Sequence, residues 1–492
     1  MTLPRTLAIA ALLAASPALF AGAVGGKYEP SILRVRVTRQ SHDFIRPWQK
    51  VPPKQASGKG VVIGPDRILV PGNLLANATL VEVERIGDGT RCEAVVECAD
   101  YVANLGLIRA KENAFAEQLK PVGIRTKGKR GDRVTAVQFE PNGTPSISEG
   151  RIKTAEVTTP TGAAGRFLVY RVSIDLKLGH TGIVPFFRRG KLIGLMVSYD
   201  KSGRTATLIP SPVIGHFLAD LGDGTYDGFP EAGFGSAAIQ DPQLRRYLGM
   251  TNGDPGVYIS QVIPGSAAAK AGMVKGDVLV KLDSYTVNRH GQYDDPEYGP
   301  MAISHLIKTR RQVGDPLLCT VRRGEETLEL TATLEHLAAD EYPVPPYVIG
   351  RPPRFVIVGG FVFQELSRQL LGIWGKEWRT KAPRHLTRID REQWERRQPG
   401  EQVVILSRVL PTPENIGFEN LSFRIVKTVN GKAVNSVREL AEVVKKAGPT
   451  QYHTVLFENS SLPELTIKAA TLELANRFVR ERYRIPHLSQ LD

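Results

Sequence analysis

The sequence predicts a mainly β fold with α+β modules, arranged as three successive units. Three observations predict it. Residues 31–209 carry a long run of short apolar strands separated by Gly and Pro turns, the pattern of an antiparallel barrel or sandwich. Two later stretches each carry strand, turn and helix in a similar order. Segments rich in Gly, Asp and Pro separate these stretches. At 492 residues the chain is too long for a single core. Its 42% apolar content marks it as folded rather than disordered.

The first 23 residues read as a secretory signal. Arg5 supplies the basic start, Leu7 to Phe20 is apolar and Ala-rich, and Ala21-Gly22-Ala23 is a small-residue cleavage site. The apolar run is short for a spanning helix and no later stretch suffices for one. The expectation is a soluble exported chain, periplasmic or extracellular, with an uncleaved N-terminal anchor as the alternative.

Residues 31–37 alternate apolar and basic side chains, as a half-buried strand does. Gly58–Ile63 and Arg67–Val70 form a hairpin around Gly64-Pro65-Asp66. Further strands are expected at 80–85, 93–97, 105–109, 133–139, 150–157, 167–174, 192–198 and 205–209, and a helix at Ser211–Asp220 closes the unit, which spans 28–221. Residues 222–228 are a linker by composition. The second unit, 228–337, contains a strand from Gly256, a Pro264-Gly265 turn, an Ala-rich helix and the Gly276-Asp277 turn. Pro-rich segments at 342–346 and 351–353 lead to the third unit, 354–475, where a strand pair turns at Asn430-Gly431 and a helix follows behind Ser436, a plausible N-cap. Residues 476–492 read as a tail, and 376–408 as an insertion whose basic run, 384–397, is a solvated helix face.

Net charge is +14, but the basic residues are spread and no recognition motif accompanies them, so no nucleic-acid partner is expected. Cys92 and Cys98 flank one strand and would stand roughly 20 Å apart if extended, too far to bridge. They and Cys319 are expected as buried free thiols, with a tight hairpin as the exception. No histidine pairs with cysteine at metal-ligand spacing, and no cofactor is expected.

The segment Asp175–Phe187 resembles the nucleophile loop of a trypsin-like serine protease. Gly179 and Gly182 hold the glycine positions around the nucleophile, Thr181 stands in place of the serine, and Ile183 and Val184 replace the following glycine and proline. Residues 256–279 resemble a PDZ domain in the order of their turns: Pro264, Ala271-Gly272, Gly276-Asp277. With Pro47-Trp48-Gln49, residues 208–217 and 244–250, Val358–Phe363, Asn415–Glu419 and Val429–Lys432, the order resembles the HtrA/Deg proteases, closest to the plant-type branch with a C-terminal PDZ-like domain. The resemblance implies a trypsin-like double β-barrel followed by two PDZ-like domains.

It also locates the catalytic positions. The family histidine falls on Asn73, in Leu69-Val70-Pro71-Gly72-Asn73, and the aspartate on Asn104, in Asn104-Leu105-Gly106-Leu107-Ile108. Asp100 is an alternative for the acid in another register. A triad needs a hydroxyl, an imidazole that takes its proton and a carboxylate that fixes the imidazole; an amide takes no proton near neutral pH. His180 is adjacent to Thr181, but neighbouring side chains of an extended loop face opposite ways. If the position of Ile183 needs positive φ, a β-branched residue there is strained or the loop has refolded. The resemblance assigns the carboxylate-binding loop of the first PDZ unit to Glu231, Ala232, Gly233 and Phe234. It assigns side-chain selection to His305 and Leu306, with core filling as the alternative reading, and the matching loop of the third unit to Val358–Phe361. The function implied is a pseudoprotease that binds polypeptides or protein C-termini, as a homo-oligomer built on the barrels. The alternative is an active serine-type endopeptidase with non-standard groups.

Overall fold

The computed structural model describes residues 26–177, 183–251, 253–396, 398–446, 448, 451–458 and 464–492. The expected signal segment and Leu178–Gly182 lie outside these residues.

Twelve strands form two closed six-stranded barrels. In the first, β1 (Ile32–Arg39), β2 (Lys54–Val62), β3 (Arg67–Val70), β4 (Ala78–Arg85), β5 (Arg91–Asp100) and β6 (Leu105–Ala110) close in the order β1-β2-β3-β6-β5-β4. The alternation in β1 does what it predicts: Leu33, Val35 and Val37 are buried, while Arg34 and Arg36 turn out and join Arg91 on the carboxylate of Glu84. The second barrel comprises β7 (Arg133–Phe139), β8 (Pro145–Thr158), β9 (Phe167–Ile174), β10 (Pro185–Arg188), β11 (Lys191–Asp200) and β12 (Thr205–Pro210), closing as β10-β11-β12-β9-β8-β7. The helix Ser211–Asp220 follows. Strand β10 is absent from the sequence expectation, because four residues opening on proline read as a turn. Cys92 and Cys98 both lie on β5 as free thiols; Cys98 is half-buried rather than buried.

The second unit is an antiparallel sheet in the order Phe234–Ala237, Val257–Val262, Val278–Leu282, Pro316–Arg323, Glu326–Thr333, with helix Ile303–Arg310. That helix packs against β9 and the helix Ser211–Asp220. One continuous apolar core runs from the barrels into this unit, through Phe167, Phe217, Phe229 and Leu306.

The third unit is a sheet in the order Leu465–Lys468, Tyr452–Phe457, Arg424–Val429, Val404–Val409, Phe361–Glu365, Phe355–Val358, Ser489–Gln490. Its helix Val437–Lys445 is capped by Ser436, whose Oγ accepts from the Glu439 N–H at 3.0 Å. Residues 476–492, expected as a tail, instead continue the helix Leu472–Tyr483 and add the strand Ser489–Gln490 beside Phe355–Val356. Val479 and Ile485 are fully buried against Phe355 and Ile357, which is why this stretch folds back. In the insertion, helix Arg384–Arg391 buries Leu386 and Asp390, so it is only partly a solvated face; Asp390 accepts from Arg368 at 2.7 Å.

Candidate functional site

Strand β3 pairs with β6 so that Val70 faces Gly106. The chain just beyond β3 therefore lies beside the chain just before β6, which brings Asn73 and Asn104 together. Asn73 sits on the short helix Gly72–Leu75 with its side chain exposed. Asn104 is 1% exposed and has φ +60°, a conformation asparagine tolerates better than most residues. Its Oδ1 accepts from the Asn73 N–H at 2.8 Å, and its Nδ2 donates to the Thr161 carbonyl at 2.9 Å. Both ends of the amide are thus engaged.

Gly162 closes over this pair with φ +84°. A Cβ there would stand 2.5 Å from Asn73 Nδ2 and 2.7 Å from Asn104 Nδ2. The turn carrying it, Pro160–Gly165, is missing from the sequence reading of the site, although its Pro-Thr-Gly composition is a turn signal. The cleft measures about 230 Å³ and is lined by residues that include Asn73, Asn104, Thr161, Ile183, Ser198 and Lys201. Among the described residues no histidine, aspartate or glutamate lines it. Ile183 is not among the described residues with positive φ, so its backbone has no glycine-type conformation. Thr181, Gly179, Gly182 and His180 fall outside the described residues.

Asp100 is buried and turned to another task. Its Oδ1 accepts from the Ala103 N–H at 2.6 Å, and its Oδ2 accepts from the Tyr226 hydroxyl, on the linker to the second unit. The adjacent Tyr101 ring packs edge-on against Tyr347, on the linker to the third unit. The Tyr101 and Val102 carbonyls accept from Ala164 and Gly165 of the covering turn. One turn, 100–104, therefore joins the cleft to both linkers.

The two loops that resemble carboxylate-binding loops differ in access. In the second unit, strand Phe234–Ala237 is the edge of its sheet. Gly233 has φ +80°, and a Cβ there would lie 2.1 Å from Ser266 Cβ, so the loop requires glycine. His305 and Leu306 are 2% and 3% exposed, so neither offers a surface for selecting ligand side chains. Leu306 belongs to the core. His305 stacks on Tyr293 at the joint with the barrel, and neither ring nitrogen has a hydrogen-bond partner. Burial pushes its pKa down to about 4. In the third unit, Phe361–Glu365 is flanked on both sides, by Val404–Val409 and by Phe355–Val358. There the Gly359 N–H donates to Asn476 Oδ1 at 3.0 Å, so this loop is closed by the chain's own C-terminal helix.

Two closed barrels followed by PDZ-type units define a class, that of the trypsin-like, PDZ-bearing proteins, and within it the chain is similar to the HtrA/Deg proteases. A family model described as a PDZ domain matches residues 344–490. In particular, the chain is similar to Protease Do-like 2, chloroplastic, of Arabidopsis thaliana: 27% identical over 469 residues, covering 93% of this chain and 74% of the relative. Protease Do-like 4, mitochondrial, of the same plant is 23% identical over 469 residues, covering 94% and 85%. The fold matches the solved structure of an AlgW variant, an HtrA-type protease with a decapeptide, at TM-score 0.50 and 17% identity, over 65% of this chain and 96% of that one.

Proposed function

We propose that this protein is a pseudoprotease of the HtrA/Deg family: it binds polypeptides through the PDZ-type second unit and does not cut them. The observation that carries the reading is the amide pair in the cleft. Asn73 and Asn104 stand where the resemblance puts the base and its orienting acid, and Asn104 is fully engaged in holding the backbone. An amide cannot take the proton of a hydroxyl nucleophile, and losing the base removes most of a triad's contribution whatever else is retained. Thr181 is the nucleophile position in this reading. The free edge at Phe234–Ala237 supports polypeptide binding by strand addition. Export is part of the proposal, on the strength of residues 5–23, as is a homo-oligomer built on the barrels.

Purified full-length protein incubated with casein and with a serine-directed fluorophosphonate tests the reading. The expected result is retention of unfolded casein without cleavage and without labelling. Cleavage that disappears in Thr181→Ala overturns it.

A further inference from the structure

The loop Glu231–Phe234 has an inner and an outer side. Its inner carbonyls are spent: the Ala268 N–H donates to the Ala232 carbonyl at 2.8 Å, and the Ile263 N–H to the Gly233 carbonyl at 2.8 Å, joined by Ser266 Oγ at 3.2 Å. No acceptor among the described residues takes the N–H groups of Ala232 and Gly233. A row of free N–H groups beside an edge strand suits the carboxylate at a chain end.

A carboxylate is already resident at this loop. Glu231 Oε1 lies 2.5 Å from Lys308 Nζ, with side chains only 23% and 16% exposed, and Glu231 Oε2 accepts from the Tyr342 hydroxyl at 3.4 Å. Lys308 is held in turn, its ammonium 5.7 Å over the Phe167 ring of β9. The neighbouring charges do not leave a cation over. Glu335, whose carbonyl accepts from the Glu231 N–H at 2.7 Å, is paired with Lys270 at 2.5 Å. Glu341 lines the same 140 Å³ pocket as Glu231, Glu335 and Lys270. Three glutamates thus stand against two lysines around the loop. A terminal carboxylate arriving there adds a further negative charge and competes with Glu231 for Lys308, whereas an internal segment brings no charge and needs only the strand edge.

We propose that Glu231 is a specificity-determining residue that directs the second unit to internal extended segments and away from free chain ends. The inference rests on the reading of this unit as a polypeptide binder.

Overlapping ten-residue segments of casein, each made with a C-terminal amide and with a free C-terminal acid, are titrated against the full-length protein by fluorescence anisotropy. The wild type is expected to hold the amide forms at least about fivefold more tightly than the acids, as an unneutralised like charge at a partly buried site requires. Glu231→Gln, which keeps the shape and removes the charge, is expected to move the acid-to-amide ratio about tenfold toward the acid. Lys308→Met is expected to weaken the acids further and leave the amides unchanged. Tighter binding of acids by the wild type, or a ratio unmoved by Glu231→Gln, overturns the proposal. Failure of every segment in both forms sinks the polypeptide-binding reading itself and the proposal with it.

Discussion

Asn104, which the proposed reading puts at the position of the orienting acid, holds the backbone around the cleft. Its side chain donates to one backbone segment and accepts from another, a division of labour that an amide provides and an ionised carboxylate does not. Asn104→Asp keeps the acceptor for the Asn73 N–H but sets a second carboxylate oxygen against the Thr161 carbonyl, replacing a hydrogen bond by two opposed acceptors. The expected loss is about 1–3 kcal/mol at neutral pH, read by urea unfolding. Gly162→Ala meets the same two side chains through its Cβ and demands φ +84° of an L-residue; it is expected to destabilise the barrel and to reshape the cleft. Asn73→His alone is expected to give no casein cleavage, because no carboxylate among the described residues lines the cleft to orient the ring. At this scale the sequence is informative about position and silent about contact. The apolar frame around residues 73 and 104 is legible as a motif. Their hydrogen bond depends on the β3–β6 register, which no local pattern carries.

The helix Ile303–Arg310 and the helix Ser211–Asp220 form the joint between barrel and second unit, and two buried histidines sit in it. His216 Nε2 lies 2.7 Å from the Arg311 carbonyl and its ring stacks on Phe229. His305 lies 3.7 Å from Asp295, whose carboxylate is already taken by Arg310 at 2.7 Å and by the Tyr293 hydroxyl at 2.8 Å. Burial lowers the pKa of both histidines, His305 from an ordinary 6.5 to about 4. The unfolded chain therefore takes up a proton near pH 6.5 that the folded joint refuses until near pH 4. Stability is full above 6.5 and falls as pH drops through that window, by about 3 kcal/mol for a shift of this size at His305. Thermal melts between pH 7.5 and 4 are expected to show this loss, and His305→Phe to flatten it. The element pattern of the barrels is legible from alternation and turn residues. The face a helix presents is less so: the sequence places His305 and Leu306 on the helix, but their burial follows from the barrel packed against it.

At the scale of the molecule, the C-terminal stretch completes the third unit. Removing 472–492 takes away Val479 and Ile485, uncovers Phe355 and Ile357, and frees the Gly359 N–H. Such a truncation is expected to unfold the third unit while the barrels persist, visible as rapid tryptic loss of 354–471 from an otherwise resistant chain. A strand of two residues, Ser489–Gln490, lies below what periodicity detects, which is why this stretch reads as a tail. The contacts between units are equally hidden in one dimension. Tyr226→Phe deletes one hydroxyl 126 residues from its acceptor and is expected to cost about 2 kcal/mol, because it leaves a buried Asp100 oxygen unpaired.

The turn 100–104 has a consequence for transplantation. Asp100 and Tyr101 are neighbours in the chain, yet one grips the linker at Tyr226 and the other the linker at Tyr347. A chimaera that borrows its barrels from a relative loses both grips unless this turn is imported with them. Grafting that single pentapeptide along with the donor barrels restores both grips, while the helix joint of Ser211–Asp220 with Ile303–Arg310 has to be carried over separately.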